Sequence, residues 1–149
     1  MDVVTSEQRS KNMAAIRSKD TKPEKYLRKL LFSKGYRYRL NSKKVFGHPD
    51  IYLKRYNTAI FVHGCFWHRH ENCKYAYMPK SNVEFWRKKF DTNINRDIMV
   101  QEELKTCGIK CLIIWECTVK QMCKNKDICD RYMGIVEDFF ISGDLYKSI

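Results

Sequence analysis

The eleven residues from His63 to Cys73 hold three histidines, two cysteines and the adjacent pair Phe66 and Trp67. They follow the run "IFV", which opens like a buried strand. A plain hairpin turn needs none of these side chains. Cys65-x4-His70-x2-Cys73 offers three soft or borderline ligands on one turn, and Cys117 offers a fourth at the end of the next core strand. A closed tetrahedral Cys/His shell of this kind is a structural zinc site. His68 could take the place of His70 in that set. Free thiols and unligated imidazoles are the plainer alternative. If zinc takes His70, then His63 and His68 are left to act as bases, since neutral imidazole accepts a proton near neutral pH.

A second constellation is acidic. In "GHPDIYL" Asp50 follows a proline at the mouth of a strand. A carboxylate there can hold a hard cation such as Mg²⁺, with phosphate oxygens completing the shell. Pro-Asp also occurs in ordinary turns. The next strand ends in Val62-His63 rather than Glu-x-Lys, so a main-chain carbonyl would have to supply the second oxygen. Phe66 and Trp67 lie between zinc ligand and base. Held rigidly, such rings can pry apart DNA base steps; the bland reading is a hydrophobic cap over the sheet. On "NVEFWRKKFDTNINRD", Trp86, Lys89, Asn93 and Arg96 recur at helical spacing beside Phe90, Ile94 and Ile98. That stripe suits stacking, base reading and phosphate contact, or else it is a solvated flank with Trp86 in the core.

The bulk properties frame these sites. The chain has 149 residues and a formal charge of +12, and it is 44% hydrophobic. That suits one compact domain and excludes a disordered chain. Residues 1–44 carry 13 Lys/Arg against 4 Asp/Glu, so most of the excess charge is at one end. Concentrated positive charge points to a polyanion, nucleic acid first and an anionic membrane second. No apolar run reaches the ~20 residues that span a bilayer. "MDVVTSEQRSKN" lacks the pattern of a signal peptide. A soluble, cytoplasmic protein is expected. Seven cysteines, an odd number, argue for thiol or metal chemistry over a disulfide framework. Cys107, Cys111, Cys123 and Cys129 have no assigned role.

The elements that must position these groups follow from the pattern. Residues 1–20 form a basic arm. "DTKPEKYLRKLLFSKG" reads as a helix with Thr21 and Glu24 at capping-box spacing, Pro23 in its first turn and Gly35 as its stop. "YRYRL" (36–40) is expected as a strand. "DIYLKRY" and "TAIFVHG" form a hairpin around Asn57, 82–106 a long helix, 110–117 a buried central strand and 127–140 a closing helix. The sum is a three-layer α/β domain with a mixed sheet, residues 21–149 being the core of a single domain over 1–149.

Together, "RSKNMAAI", "PD", "VHGCFWHRH…C", "EFWRKKFDTNINRD" and "IIWEC" resemble the very-short-patch repair (Vsr-type) mismatch endonucleases, in order, from about Arg9 to Cys117. The resemblance implies a restriction-endonuclease-like fold. It implies an enzyme that nicks one strand beside the thymine of a T:G mismatch, the lesion left when 5-methylcytosine deaminates. It implies one or two catalytic Mg²⁺ on Asp50 and the Val62 carbonyl, with His68 as general base and His63 and Glu24 supporting. One structural Zn²⁺ would sit on Cys65, His70, Cys73 and Cys117. Phe66, Trp67 and Trp86 match intercalating aromatics, and Met13 an apolar residue entering from the other groove. Lys89 and Asn93 match base-reading positions. Arg9, Lys11 and Arg96 complete the DNA-binding set. The family also implies a nucleoid-associated monomer, linked functionally to mismatch-repair factors and a DNA cytosine methyltransferase, with no membrane partner. This chain departs from the pattern at Val62, which replaces a threonine, and at His48, which replaces an arginine. It also has one extra residue between His70 and Cys73. A related endonuclease of a restriction or modification system and a zinc-stapled DNA-binding module without catalysis are the rival expectations.

Overall fold

The computed structural model describes residues 20–149. Arg9, Lys11 and Met13, with the arm that carries them, lie outside the described residues. Helix α1 (Lys22–Ser33) begins where its capping pattern predicts: the Thr21 hydroxyl accepts the Glu24 N–H at 3.4 Å, and Pro23 sits in the first turn. The reciprocal bond is displaced by one residue, since the Glu24 carboxylate accepts from the N–H of Asp20 at 2.9 Å.

The strand expected over 36–40 contracts to β1 (Arg39–Leu40). Tyr36 and Tyr38 turn instead toward helices, donating to the Glu137 carboxylate at 2.7 Å and the Arg28 carbonyl at 2.8 Å. β2 (Ile51–Leu53) and β3 (Thr58–His63) form the expected hairpin, joined by a 3₁₀ turn that Asn57 closes at φ 50°. Helix α2 (Val83–Thr106) leads to β4 (Lys110–Trp115).

The expected strand over 110–117 stops at Trp115. Glu116 opens a helix, α3 (Glu116–Lys124), so Cys117 sits in a first helical turn rather than on the strand. After α4 (Lys126–Ile141), a short strand β5 (Tyr146–Ser148) pairs parallel to β4. Neither α3 nor β5 is among the elements expected from the sequence. Too few apolar positions recur in either for periodicity to mark it.

The sheet runs β1-β2-β3-β4-β5, antiparallel up to β3 and parallel beyond. β4 is buried on both faces, and its alternation sorts the layers. Leu112 and Ile114 pack with Leu27 and Leu31 of α1, Val119 of α3, and Met133 and Val136 of α4. Cys111 and Ile113 pack on the other face with Val100 and Leu104 of α2. The result is the expected three-layer mixed α/β architecture. Among the described residues no helix is long and apolar enough to cross a membrane.

One polar group is buried to hold this frame. Lys110, 8% exposed, donates its ammonium to the Phe139 carbonyl and, at 2.9 Å, to the Ser142 carbonyl. It caps the C-terminus of α4. Lys110→Met removes a charged donor from both carbonyls, leaving Phe139 to the Ser142 N–H and hydroxyl, and is expected to cost about 1–3 kcal/mol, read as a lowered denaturant midpoint at unchanged slope.

Candidate active site and metal centre

A cleft of about 490 Å³ opens where β2 begins and β3 ends, lined by Glu24, Asp50, Val62, His63, His68 and Asp97 among others. The backbone places its first donors. Lys110 N–H donates to the Asn57 carbonyl, and this phase turns the odd-numbered residues of β3 toward β4. The N–H and C=O of Val62 therefore face the β2 side. Extending the Ile51–Ile60 register sets Pro49 opposite Val62. Proline has no N–H to give the Val62 carbonyl. The Val62 N–H, in turn, donates to Asp50 Oδ2 at 2.7 Å. One proline thus pins a carboxylate and leaves a main-chain carbonyl with no ladder donor beside it.

Burial pushes the Asp50 carboxyl up to about 7, with the nearby Glu24 charge adding to it and the Val62 N–H, His68 and Arg28 opposing. Burial also raises Glu24, which is 5% exposed. Two carboxyls held at this cost in one cleft, with a free carbonyl, form a hard oxygen donor set that fits a divalent cation of the Mg²⁺ class. A stability consequence follows. The unfolded chain releases the Asp50 proton near 3.8 and the folded chain near 7. Between those values the folded state binds more protons, so stability falls as pH rises through that window. In metal-free buffer Asp50→Asn is expected to raise stability by a few kcal/mol at pH 8 and hardly at all at pH 4. Thermal melts at the two pH values measure it.

The histidines form one assembly. The rings of His63 and His68 stack at 3.8 Å between centroids and 6° between planes. His68 Nδ1 meets Asp97 Oδ2 at 2.7 Å. Burial, with His68 beside it, holds His63 down to about 3, so His63 is neutral and its 4.0 Å approach to Asp97 is not an ion pair. When Nδ1–H of His68 donates to Asp97, Nε2 carries the lone pair. Asp97, which holds His68 in the cleft, is a residue that the sequence pattern does not mark. It stands one turn after Asn93 and one before Gln101, and all three line the cleft. The helical stripe legible in the sequence runs through Arg96 instead. Asp97→Asn can donate to Nδ1 and lock the wrong tautomer, so nicking is expected to fall about 10²–10⁴-fold with DNA affinity unchanged. Single-turnover rates against pH, beside a binding titration, test this.

The turn after β3 carries the soft ligands. The donor atoms of Cys65, His70, Cys73 and Cys117 lie within 4.8 Å of one another, with His70 Nδ1 at 3.4 Å from Cys117 Sγ. Three sulfurs and one imidazole fit a tetrahedral zinc-like ion. Burial pushes the Cys65 thiol up to about 12, and a bound cation is what would make it a thiolate. Within this turn Arg69 and Asn72 adopt left-handed backbone, each at φ 55°. Arg69 laces the same turn, donating to the carbonyls of Phe66 (3.1 Å), Tyr77 (3.1 Å) and Ala76 (2.8 Å) and lying over the Phe90 ring at 4.0 Å.

Phe66 and Trp67 are half-buried and meet edge to face at 5.1 Å. Trp86 is 8% exposed and forms the floor beneath them, while its neighbour Phe85 is 60% exposed. Asn93 donates its amide to the Trp67 carbonyl at 3.0 Å and so fixes the turn in this conformation. Lys89 and Arg96 are exposed.

With this geometry in view, the comparisons with known proteins are specific. The family description "DNA mismatch endonuclease Vsr" matches residues 1–74. The type II nicking enzyme V.NmeAIP of Neisseria meningitidis is 47% identical over 128 residues, covering 86% of this chain and 88% of that protein. The DNA mismatch endonuclease Vsr of Escherichia coli is 40% identical over 119 residues, covering 80% and 76%. The type II nicking enzyme V.HpaIIP of Haemophilus parainfluenzae is 44% identical over 116 residues, covering 77% and 82%. At that identity over most of its length, the chain belongs to the Vsr family of DNA mismatch endonucleases.

Proposed function

We propose that this chain nicks one DNA strand beside the thymine of a T:G mismatch and so starts short-patch repair of deaminated 5-methylcytosine. The class, a strand-nicking DNA endonuclease, comes with the family. The observation that carries the rest is a single cleft in which Asp50, pinned by the Val62 N–H, shares a wall with His68, held by Asp97. The fold reading is restriction-endonuclease-like, with residues 1–149 as one domain, residues 1–20 as its basic arm, and a monomer as the working form.

Asp50 and the Val62 carbonyl would hold one or two Mg²⁺, which supply charge neutralisation at the scissile phosphate and acidity to a water beside it. His68 takes the proton of the attacking water at Nε2, and Asp97 stabilises the imidazolium that results. His63 stays neutral, excludes water from one face of His68 and keeps its ring aligned. Glu24 adds negative charge to the cation site while capping α1. Cys65, His70, Cys73 and Cys117 would hold a Zn²⁺ that staples the turn, and the turn presents Phe66 and Trp67 to the duplex with Trp86 backing them. Intercalation is least costly where pairing is already imperfect, and this contributes to mismatch selectivity. Lys89, Asn93, Arg96 and the arm residues Arg9, Lys11 and Met13 make the remaining DNA contacts. The cell compartment is cytoplasm and nucleoid, and mismatch-repair factors and a cytosine methyltransferase are the functional associates.

A restriction-system nickase with another target is the second reading, because relatives at 47% and 44% identity are named type II nicking enzymes. End-labelled duplexes carrying each mismatch in varied contexts separate the two. Cleavage confined to the thymine strand of T:G in one context supports repair. Cleavage of matched duplex overturns it.

A further inference from the structure

Trp115 closes β4 and takes no part in the chemistry above. A tryptophan at the end of a core strand is ordinarily packing, and this one does pack against the cluster of Val100, Cys111 and Ile113. Its contacts also reach the catalytic histidines. We propose that Trp115 is a positioning residue for the His68 base: gripped by the C-terminal strand through Ser148 and laid flat on His70, it holds the ring of His63, on which His68 rests. The inference deepens the nuclease reading and rests on it.

Three observations carry it. The first is register. Trp115 pairs with His63 at the ends of two parallel strands, so both side chains leave the same face of the sheet. Their rings meet edge to face, 5.3 Å between centroids and 74° between planes. The second is what holds the histidines. His63 approaches Asp97 at 4.0 Å, too far for a hydrogen bond. Ring contacts bound it instead: His68 stacked at 3.8 Å, Trp115 nearly at right angles, and Phe61 farther off at 6.1 Å. His68 is tied to Asp97 through Nδ1. A ring tied at one atom still swings about that bond unless a neighbour packs on its face, and His63 is that neighbour. The third is how Trp115 is itself held. Its indole N–H donates to Ser148 Oγ at 2.7 Å, and its main-chain N–H donates to the Ile149 carbonyl at 2.9 Å. The indole bond lies in the exposed shell, where water would serve as acceptor, so what Ser148 adds is orientation. The Trp115 ring also stacks on His70 at 4.2 Å and 6°. A side chain wanted only for bulk needs neither the directed bond nor the parallel stack.

Ser148 gives the cleanest test, because it is exposed and belongs to neither the Cys/His cluster nor the cleft lining. Single-turnover nicking is read at saturating protein on whichever duplex the wild type cuts fastest among T:G, other mismatches and matched pairs. A binding titration and metal content are measured beside it. Ser148→Ala is expected to slow nicking about tenfold at unchanged Kd and metal content, and Ser148→Thr, which keeps the hydroxyl, to restore it. Trp115→Leu keeps apolar bulk and removes the ring; it is expected to cost about a hundredfold, with Trp115→Phe recovering most of the loss. Trp115→Leu nicking at the wild-type rate, or losing rate only in step with metal content or DNA affinity, overturns the proposal. Ser148→Ala at the wild-type rate overturns the part given to the C-terminal strand. Normal nicking by both variants sinks Trp115 and leaves the nuclease standing, whereas a wild-type protein that cuts no duplex removes both.

Discussion

Asp50→Ala is expected to lower nicking of a T:G duplex by roughly a thousandfold or more, while the protein keeps its fold and the metal that its Cys/His cluster would hold. The size follows from what the carboxylate does. In the proposed mechanism it would be the charged ligand of the catalytic cation, and a cation at a scissile phosphate contributes several kcal/mol of transition-state stabilisation. The fold survives because the Asp50 charge is a burden on the metal-free protein: burial pushes its carboxyl up to about 7. Removing it relieves that strain and leaves the soft-ligand cluster, on the turn after β3, untouched. Circular dichroism and zinc content beside the nicking rate measure all three. A variant that nicks within tenfold of wild type would remove Asp50 from the cation site.

Cys117→Ser is expected to fail differently, losing structure first and activity as a consequence. Cys117 comes from α3, whereas Cys65, His70 and Cys73 come from the turn after β3. An ion on all four therefore ties the turn after β3 to the first turn of α3, where His70 Nδ1 already meets Cys117 Sγ at 3.4 Å and the His70 ring stacks on Trp115 at 4.2 Å. Zinc-finger peptides gain ~10–16 kcal/mol from metal. This domain has a sheet and two cores of its own, so a loss of several kcal/mol is expected rather than complete unfolding. Metal content falls from about one equivalent toward zero, the melting temperature drops, and DNA binding weakens because Phe66 and Trp67 lose their mount. Cys107→Ser, at an exposed helix end, changes none of these. Full zinc occupancy and an unchanged melt in Cys117→Ser would contradict the assignment.

The sequence made some of this legible and hid the rest for physical reasons. The Thr21 cap, the hairpin at Asn57, the α2 span and the buried β4 run are local signals, and the structure follows them closely. The Cys/His cluster is legible because three of its four donors, Cys65, His70 and Cys73, share one short turn. Cys117 was placed on the wrong element because "IIWEC" continues an apolar run while the backbone turns helical at Glu116. Asp97 was missed because its role exists only across space: His68 is 29 residues away, and nothing local distinguishes one helical aspartate from another. The role of Pro49 is likewise a register effect, since it matters only as the residue opposite Val62. Trp86 read equally well as wedge or core, and burial decides that it packs beneath Phe66 in this conformation.

The most direct measurement is single-turnover nicking of two duplexes identical except for one base pair, T:G or T:A, each strand labelled in turn, with Mg²⁺ or EDTA. The account predicts one cut, on the thymine strand of the T:G duplex, only with Mg²⁺, and none on T:A. Equal cutting of both duplexes, or a cut that persists in EDTA, would contradict it.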